Sequence, residues 1–151
     1  MPEKKTIERA QEDEREGKSP STQAGEFVRE EMDHIREGKH GARSTEQAIA
    51  IGLSKARRAG VKLPRPKKGK ASQATRKKAA RDEEKGAQGA EHAPSRKRSR
   101  VVTGALKREG HSAASKSALS RHAVASAKKR GPASRKQAAQ KAARTRAGRD
   151  K

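Results

Sequence analysis

A chain with one aromatic side chain has little to build a core around: Phe27 is the only Phe, Tyr or Trp in 151 residues, and 28% of the sequence is hydrophobic. The apolar surface it can bury does not offset the ordering entropy of all its residues. Charge acts in the same direction. Forty Lys and Arg against eighteen Asp and Glu leave a formal charge of +22, and self-repulsion on that scale opposes compaction until a polyanion neutralises it. The expectation is a mostly α chain with an acidic partner, in which a small folded part precedes a long arm that is disordered, or helical only when bound. Absence of Cys removes disulfides, thiolate zinc sites and cysteine nucleophiles together. The start, MPEKKTIERA, lacks the layout of a signal peptide, and no apolar run approaches the roughly 20 residues that span a bilayer. The expected location is cytoplasmic and nucleoid-associated, with no membrane partner.

Charge and pattern divide the chain into four. Residues 1–21 are a charged N-terminal segment. There Lys4 to Glu16 reads as a helix with little apolar besides Ile7, broken at Gly17 and Ser19-Pro20-Ser21 and without a core of its own. Residues 22–63 read as a short αα-hairpin. Its first helix places Ala24, Val28, Met32 and Ile35 on one stripe with Phe27 alongside, and stops at Gly38. Its second opens at Ser44 with Gln47 three residues on, a capping box, and ends at Gly60. The expected core is Phe27, Val28, Met32, Ile35, Ile49, Leu53 and Ala56. A hairpin this small is marginal or is completed by a second copy, so a homo-oligomer through the hairpin is one expected contact.

Residues 64–94 read as a basic linker and 95–151 as a basic, Ala/Lys/Arg-rich, helical or disordered arm. Breaks fall at Pro64, Pro66, Gly86, Gly89, Pro94, Gly110, Gly131 and Pro132. The hairpin's second half has an echo here: His40, Ala42, Ser44, Ala56, Arg57, Arg58 and Gly60 align without gaps on His111, Ala113, Ser115, Ala127, Lys128, Lys129 and Gly131.

The basic body carries the expected chemistry, contact with phosphates. Candidate nucleic-acid contacts are Arg57, Arg58, Lys62, Arg65, Lys67, Lys68, Lys70, Arg76, Lys77 and Lys78, then Arg96, Lys97, Arg98, Arg100, Lys107 and Arg108. Lys128, Lys129, Arg130, Arg135, Lys136, Lys141, Arg144 and Arg146 complete the set. Each cation on a DNA phosphate releases counterions, so eight contacts imply a log–log salt slope of about −7. The plainer reading of such a run is solubility. Leu63 to Lys68 and Lys129 to Pro132 each resemble half of an AT-hook, but both are incomplete and fit a proline-bearing linker better. With no aromatic platform, base stacking is not expected, and contact with the backbone is.

Nothing points to an enzyme. There is no Walker loop and no GxSxG elbow, so neither a cofactor nor a small-molecule substrate is expected. Glu31-x-x-His34 puts a carboxylate and an imidazole on one helical face, as in di-iron bundles, but those take two such motifs and two further Glu. No metal site is expected, and His34 and His40 are read as surface residues.

The stretches from Thr6 to Pro64, with EFVREEM, GKHGARS and QAIAIGLSKARRAG, and ALKREGHSAASKSALSRHAVASAKKRGPASRKQAA further on, resemble a family of small basic bacterial proteins. That family is of unknown function and often carries the automatic label "plasmid stabilisation protein". The resemblance implies a bacterial origin and a link to DNA maintenance, and carries over no site residue. In composition the tail resembles bacterial histone-H1-like arms. The expected function is sequence-independent DNA binding in the nucleoid or in plasmid maintenance. The alternatives are RNA or ribosome association, and a hydrophilic stress protein or protein-interaction adaptor whose acidic head pairs with a basic arm.

Overall fold

Three helices in a row stop on the same device. In this computed structural model, which describes residues 2–89 and 95–149, α1 (Lys4–Arg15), α2 (Pro20–Arg36) and α3 (Thr45–Arg58) each run into a glycine of positive φ: Gly17 at 71°, Gly38 at 74° and Gly60 at 95°. After α2 the Gly38 amide donates to Ile35 O and the Lys39 amide to His34 O. This pair satisfies carbonyls that a helix end leaves open, and only glycine adopts the required conformation without strain. The expected capping box opens α3, where Ser44 Oγ accepts from the Gln47 amide at 3.2 Å while Gln47 Oε1 accepts from the Arg43 amide at 2.8 Å.

The rest of the chain overturns the expectation of a short hairpin with a disordered arm. The described residues continue as α4 (Gln73–Ala87), α5 (Arg96–Lys107), a 3₁₀ turn (Ser112–Ala114), α6 (Lys116–Lys129) and α7 (Gly131–Arg149). Low hydrophobicity argued for disorder, but Ala, Lys, Arg and Gln are strong helix formers. Ser72 and Ser95 also cap α4 and α5, accepting the Thr75 and Arg98 amides at 3.1 and 3.3 Å. Gly86 lies inside α4 rather than breaking it, and the break expected at Pro94 lies outside the described residues. Among the described residues no helix is long and apolar enough to cross a membrane.

The chain forms two compact units, Met1–Ser115 and Lys116–Lys151. In the first, α2 pairs with α3, α1 lies on α2, and α4 lies on α3. The charged N-terminal segment therefore does have a core to join: Ala10 is buried with Ala24, Phe27, Ala56 and Leu63, and Ile7, Leu53 and Val61 pack around them. Of the expected core, Phe27, Met32, Ile35 and Ala56 are buried, whereas Val28, Ile49 and Leu53 are half-buried. The face that α3 buries is instead the small-residue row Ala48, Gly52 and Ala56, because the helices approach more closely than side chains of Ile size allow. The far end of the unit is tied back by the Gly41 amide to Leu106 O, the Ala42 amide to Gly110 O, and Thr45 Oγ1 to the Ala113 carbonyl at 2.7 Å.

Ion pairs complete the packing of α4. The carboxylate of Asp82, 3% exposed, accepts from Ser54 Oγ at 2.6 Å and from Arg58 Nε at 2.7 Å. Asp82→Ala leaves both donors without that partner, and an expected loss of about 2 kcal/mol is read from urea unfolding.

In the second unit α6 packs on α7. The sequence echo extends to the element bounds, since the alignment that sets His40 on His111 sets Thr45–Arg58 on Lys116–Lys129 and Gly60 on Gly131, whose φ is 78°. At the positions of Ile49, Leu53 and Ala56, α6 carries Ser120, Val124 and Ala127, and Val124 is 52% exposed.

Candidate nucleic-acid interface

Cations can meet phosphates only where carboxylates do not already hold them, and the two ends of the chain differ in this. Between Arg96 and Arg149 there are seventeen Lys and Arg and one carboxylate, Glu109. That carboxylate faces Arg43, 3.9 Å away. No cation from Arg96 to Arg146 is in an ion pair among the described residues. Arg96, Lys97, Arg98, Arg100, Lys107 and Arg108 on and just after α5, Lys128, Lys129 and Arg130 at the end of α6, and Arg135, Lys136, Lys141, Arg144 and Arg146 on α7 are all exposed. On α7 the cations fall on every side of a helix that buries no residue from 131 to 148, and at 19 residues such a helix is about 28 Å long.

A second exposed group sits between α3 and α4. The Lys70 amide donates to Lys67 O at 3.0 Å, and Gly69 has φ 82°, the pattern of a type II turn with glycine at its third position. This turn displays Lys67, Lys68 and Lys70, and Lys62, Lys77 and Lys78 are exposed nearby in the chain.

Four of the candidate contacts are engaged by other groups of the protein, and of these Arg57 alone is buried. Arg57 is buried, with Nη1 and Nη2 donating at 3.5 Å to the carbonyls of Leu53 and Pro64 and with Nε unpartnered among the described residues. Arg58 is held by Asp82. Arg65 Nε donates to Glu83 at 2.6 Å, which raises the guanidinium above its ordinary value, and Arg76 Nε donates to Pro66 O at 3.2 Å. Near the N-terminus, His34 and Lys39 both reach Glu3 Oε1, at 2.8 and 3.2 Å, and their hydrogen bonds hold that carboxyl below its ordinary value.

One group is not where the sequence suggested. His34 and His40 are not free surface residues: each side chain is 14% exposed, and both sit with Glu31. The Glu31-x-x-His34 spacing was the one visible signal. His40 joins it from beyond the helix end, which no periodicity shows.

Residues 5–68 match a family of unknown function (DUF6496). That stretch is similar to the family through α1, α2, α3 and the loop after them. No curated protein and no solved structure was found to match the chain.

Proposed function

We propose that this protein binds nucleic acid, DNA first, through phosphate contacts that are largely independent of sequence, in the service of nucleoid or plasmid maintenance. The observation that carries the reading is the segregation of charge: seventeen cations against one carboxylate from Arg96 to Arg149, on helices that bury almost nothing. A helix with cations on every side has no core to face and is suited to lie among phosphates on both flanks. The Lys67–Lys70 turn adds a second, smaller contact surface. Arg57, Arg58 and Arg65 serve the fold in this reading, and the interface is formed by the exposed cations that no carboxylate holds.

The test is a gel shift of the purified chain on two unrelated duplexes and a structured RNA at rising salt. The expected result is equal binding to both duplexes with a log–log salt slope of about −7 or steeper. No shift at about 50 mM salt removes the reading, and strong preference for the RNA moves the partner from DNA to RNA.

A further inference from the structure

Adjacent glutamates on α2 are buried side by side and satisfied differently. Glu30 Oε2 accepts the Glu3 amide at 3.0 Å, Oε1 accepts from Lys55 at 2.9 Å, and the Thr6 hydroxyl also bonds the group. Burial opposes its charge, but these bonds outweigh burial and hold Glu30 below the usual carboxylate range. Glu31, whose side chain is 1% exposed, is held by charge: Lys55 Nζ lies 2.8 Å from its Oε2 and His40 Nε2 lies 3.3 Å from its Oε1. Lys55 thus serves Oε2, and Oε1 faces the His40 ring.

His40 makes the contact at Oε1 specific. Its Nδ1 is 3.1 Å from the carbonyl oxygen of Gly41. A carbonyl only accepts, so Nδ1 carries the ring proton. Nε2 then faces an oxygen that also only accepts, so a proton or a metal ion stands between them. Zinc, with bonds of about 2.0–2.2 Å to nitrogen and oxygen and tetrahedral angles, sets neighbouring donors about 3.4 Å apart. The observed 3.3 Å fits that spacing.

His34 supplies a third donor. One ligand atom from each of Glu31, His34 and His40 lies within 4.8 Å of the other two, and the imidazoles meet edge to face with centroids 6.0 Å apart. His34 Nε2 is also bonded to Glu3 Oε1 at 2.8 Å. Carboxylate and carbonyl partners of this kind orient metal-bound histidines. The Gly38 stop turns the chain so that His40 comes back to the end of α2, and the Gly41 and Ala42 amides pin that loop to Leu106 and Gly110. Lys55 offsets one of the two buried carboxylates, so Glu30, Glu31 and Lys55 together remain net negative in a chain of +22. His34 also lines an open cleft of about 190 Å³ between α1 and α2, a way in from solvent.

We propose that Glu31, His34 and His40 bind a divalent transition ion, zinc by the class of its donors, with a fourth position left to water or an outside ligand. The test uses the full chain, stripped with chelator and titrated with zinc chloride by calorimetry, alongside long-range ¹H–¹⁵N spectra of the imidazoles. Expected are one equivalent bound, a raised melting temperature, and zinc-dependent shifts at His40 Nε2 and in the His34 ring. His40→Ala is expected to weaken binding roughly 100-fold or more. Should that variant fail to fold, the wild-type spectra decide. Saturating zinc that leaves both rings unchanged, zinc-dependent shifts confined to His111 or His122, or a doubly protonated His40 indifferent to zinc would each overturn the site. None of these outcomes depends on nucleic-acid binding.

Discussion

Gly52→Val is expected to leave the first unit unfolded at room temperature, although it replaces a helical glycine with a bulkier, more apolar residue. A Cβ at Gly52 would meet the Val28 Cα at 2.7 Å and the Val28 N and Cγ2 at 3.0 Å. Backbone atoms cannot rotate aside, so α2 and α3 must separate along the face that buries Phe27, Ala48 and Ala56. Overpacking a core by single methylenes costs about 1–3 kcal/mol. Valine adds three carbons against backbone, in a domain whose whole stability is of order 5–15 kcal/mol. Gly52→Ala should fall between, losing about 2 kcal/mol after the roughly 1 kcal/mol that alanine returns as a helix former. The control is Gly25→Ala on the same α2, where a Cβ meets nothing within 4 Å; it should raise stability by about 0.5–1 kcal/mol. Circular dichroism melts and urea titrations read all three. A wild-type melt for Gly52→Val would mean that the helices do not meet at Val28.

Replacing Arg135, Lys136, Lys141, Arg144 and Arg146 together with Gln should reduce the log–log salt slope of DNA binding by about 4 to 5, at about 0.9 for each phosphate no longer neutralised. Affinity should fall equally on any duplex, because the removed groups meet backbone and not base edges. Melting should not move, since all five side chains are exposed and none is in an ion pair among the described residues. Arg58→Gln is the opposite case. Its guanidinium is held by Asp82, so stability should fall while the slope changes by no more than about 1. An unchanged slope in the five-site variant would place binding elsewhere, with the Lys67, Lys68 and Lys70 turn the next surface to neutralise.

These two experiments separate features of different origin. The helices of this protein are written locally: a serine at Ser44, Ser72 or Ser95 caps the amide three residues on, and a glycine at Gly17, Gly38 or Gly60 closes the last turn. Each signal spans only about four residues, so the end of α2 and both ends of α3 were legible, whereas α2 begins at Pro20, inside the break expected at Ser19-Pro20-Ser21. Composition misled where it was used as a proxy for order. A chain poor in apolar residues can still be helical when its polar residues are good helix formers.

Long-range packing decided the remainder. Sequence by itself determined the amount and placement of charge along the chain, the α-helical class and the stops between helices, because these depend on residue type and on neighbours within a turn. The tertiary structure alone decided which cations are free and which are not. Arg57, Arg58 and Arg65 look like their neighbours in the sequence, and they differ only because α4 and the loop after α3 bring carbonyls and carboxylates to them. It alone set the small-residue face of α3 against Val28. It also gathered Glu3, Glu31, His40 and Lys55 at one point from α2, α3, the segment before α1 and the loop after α2. No periodicity relates those positions, and burial of their charges is a property of how the helices pack, which no single helix encodes.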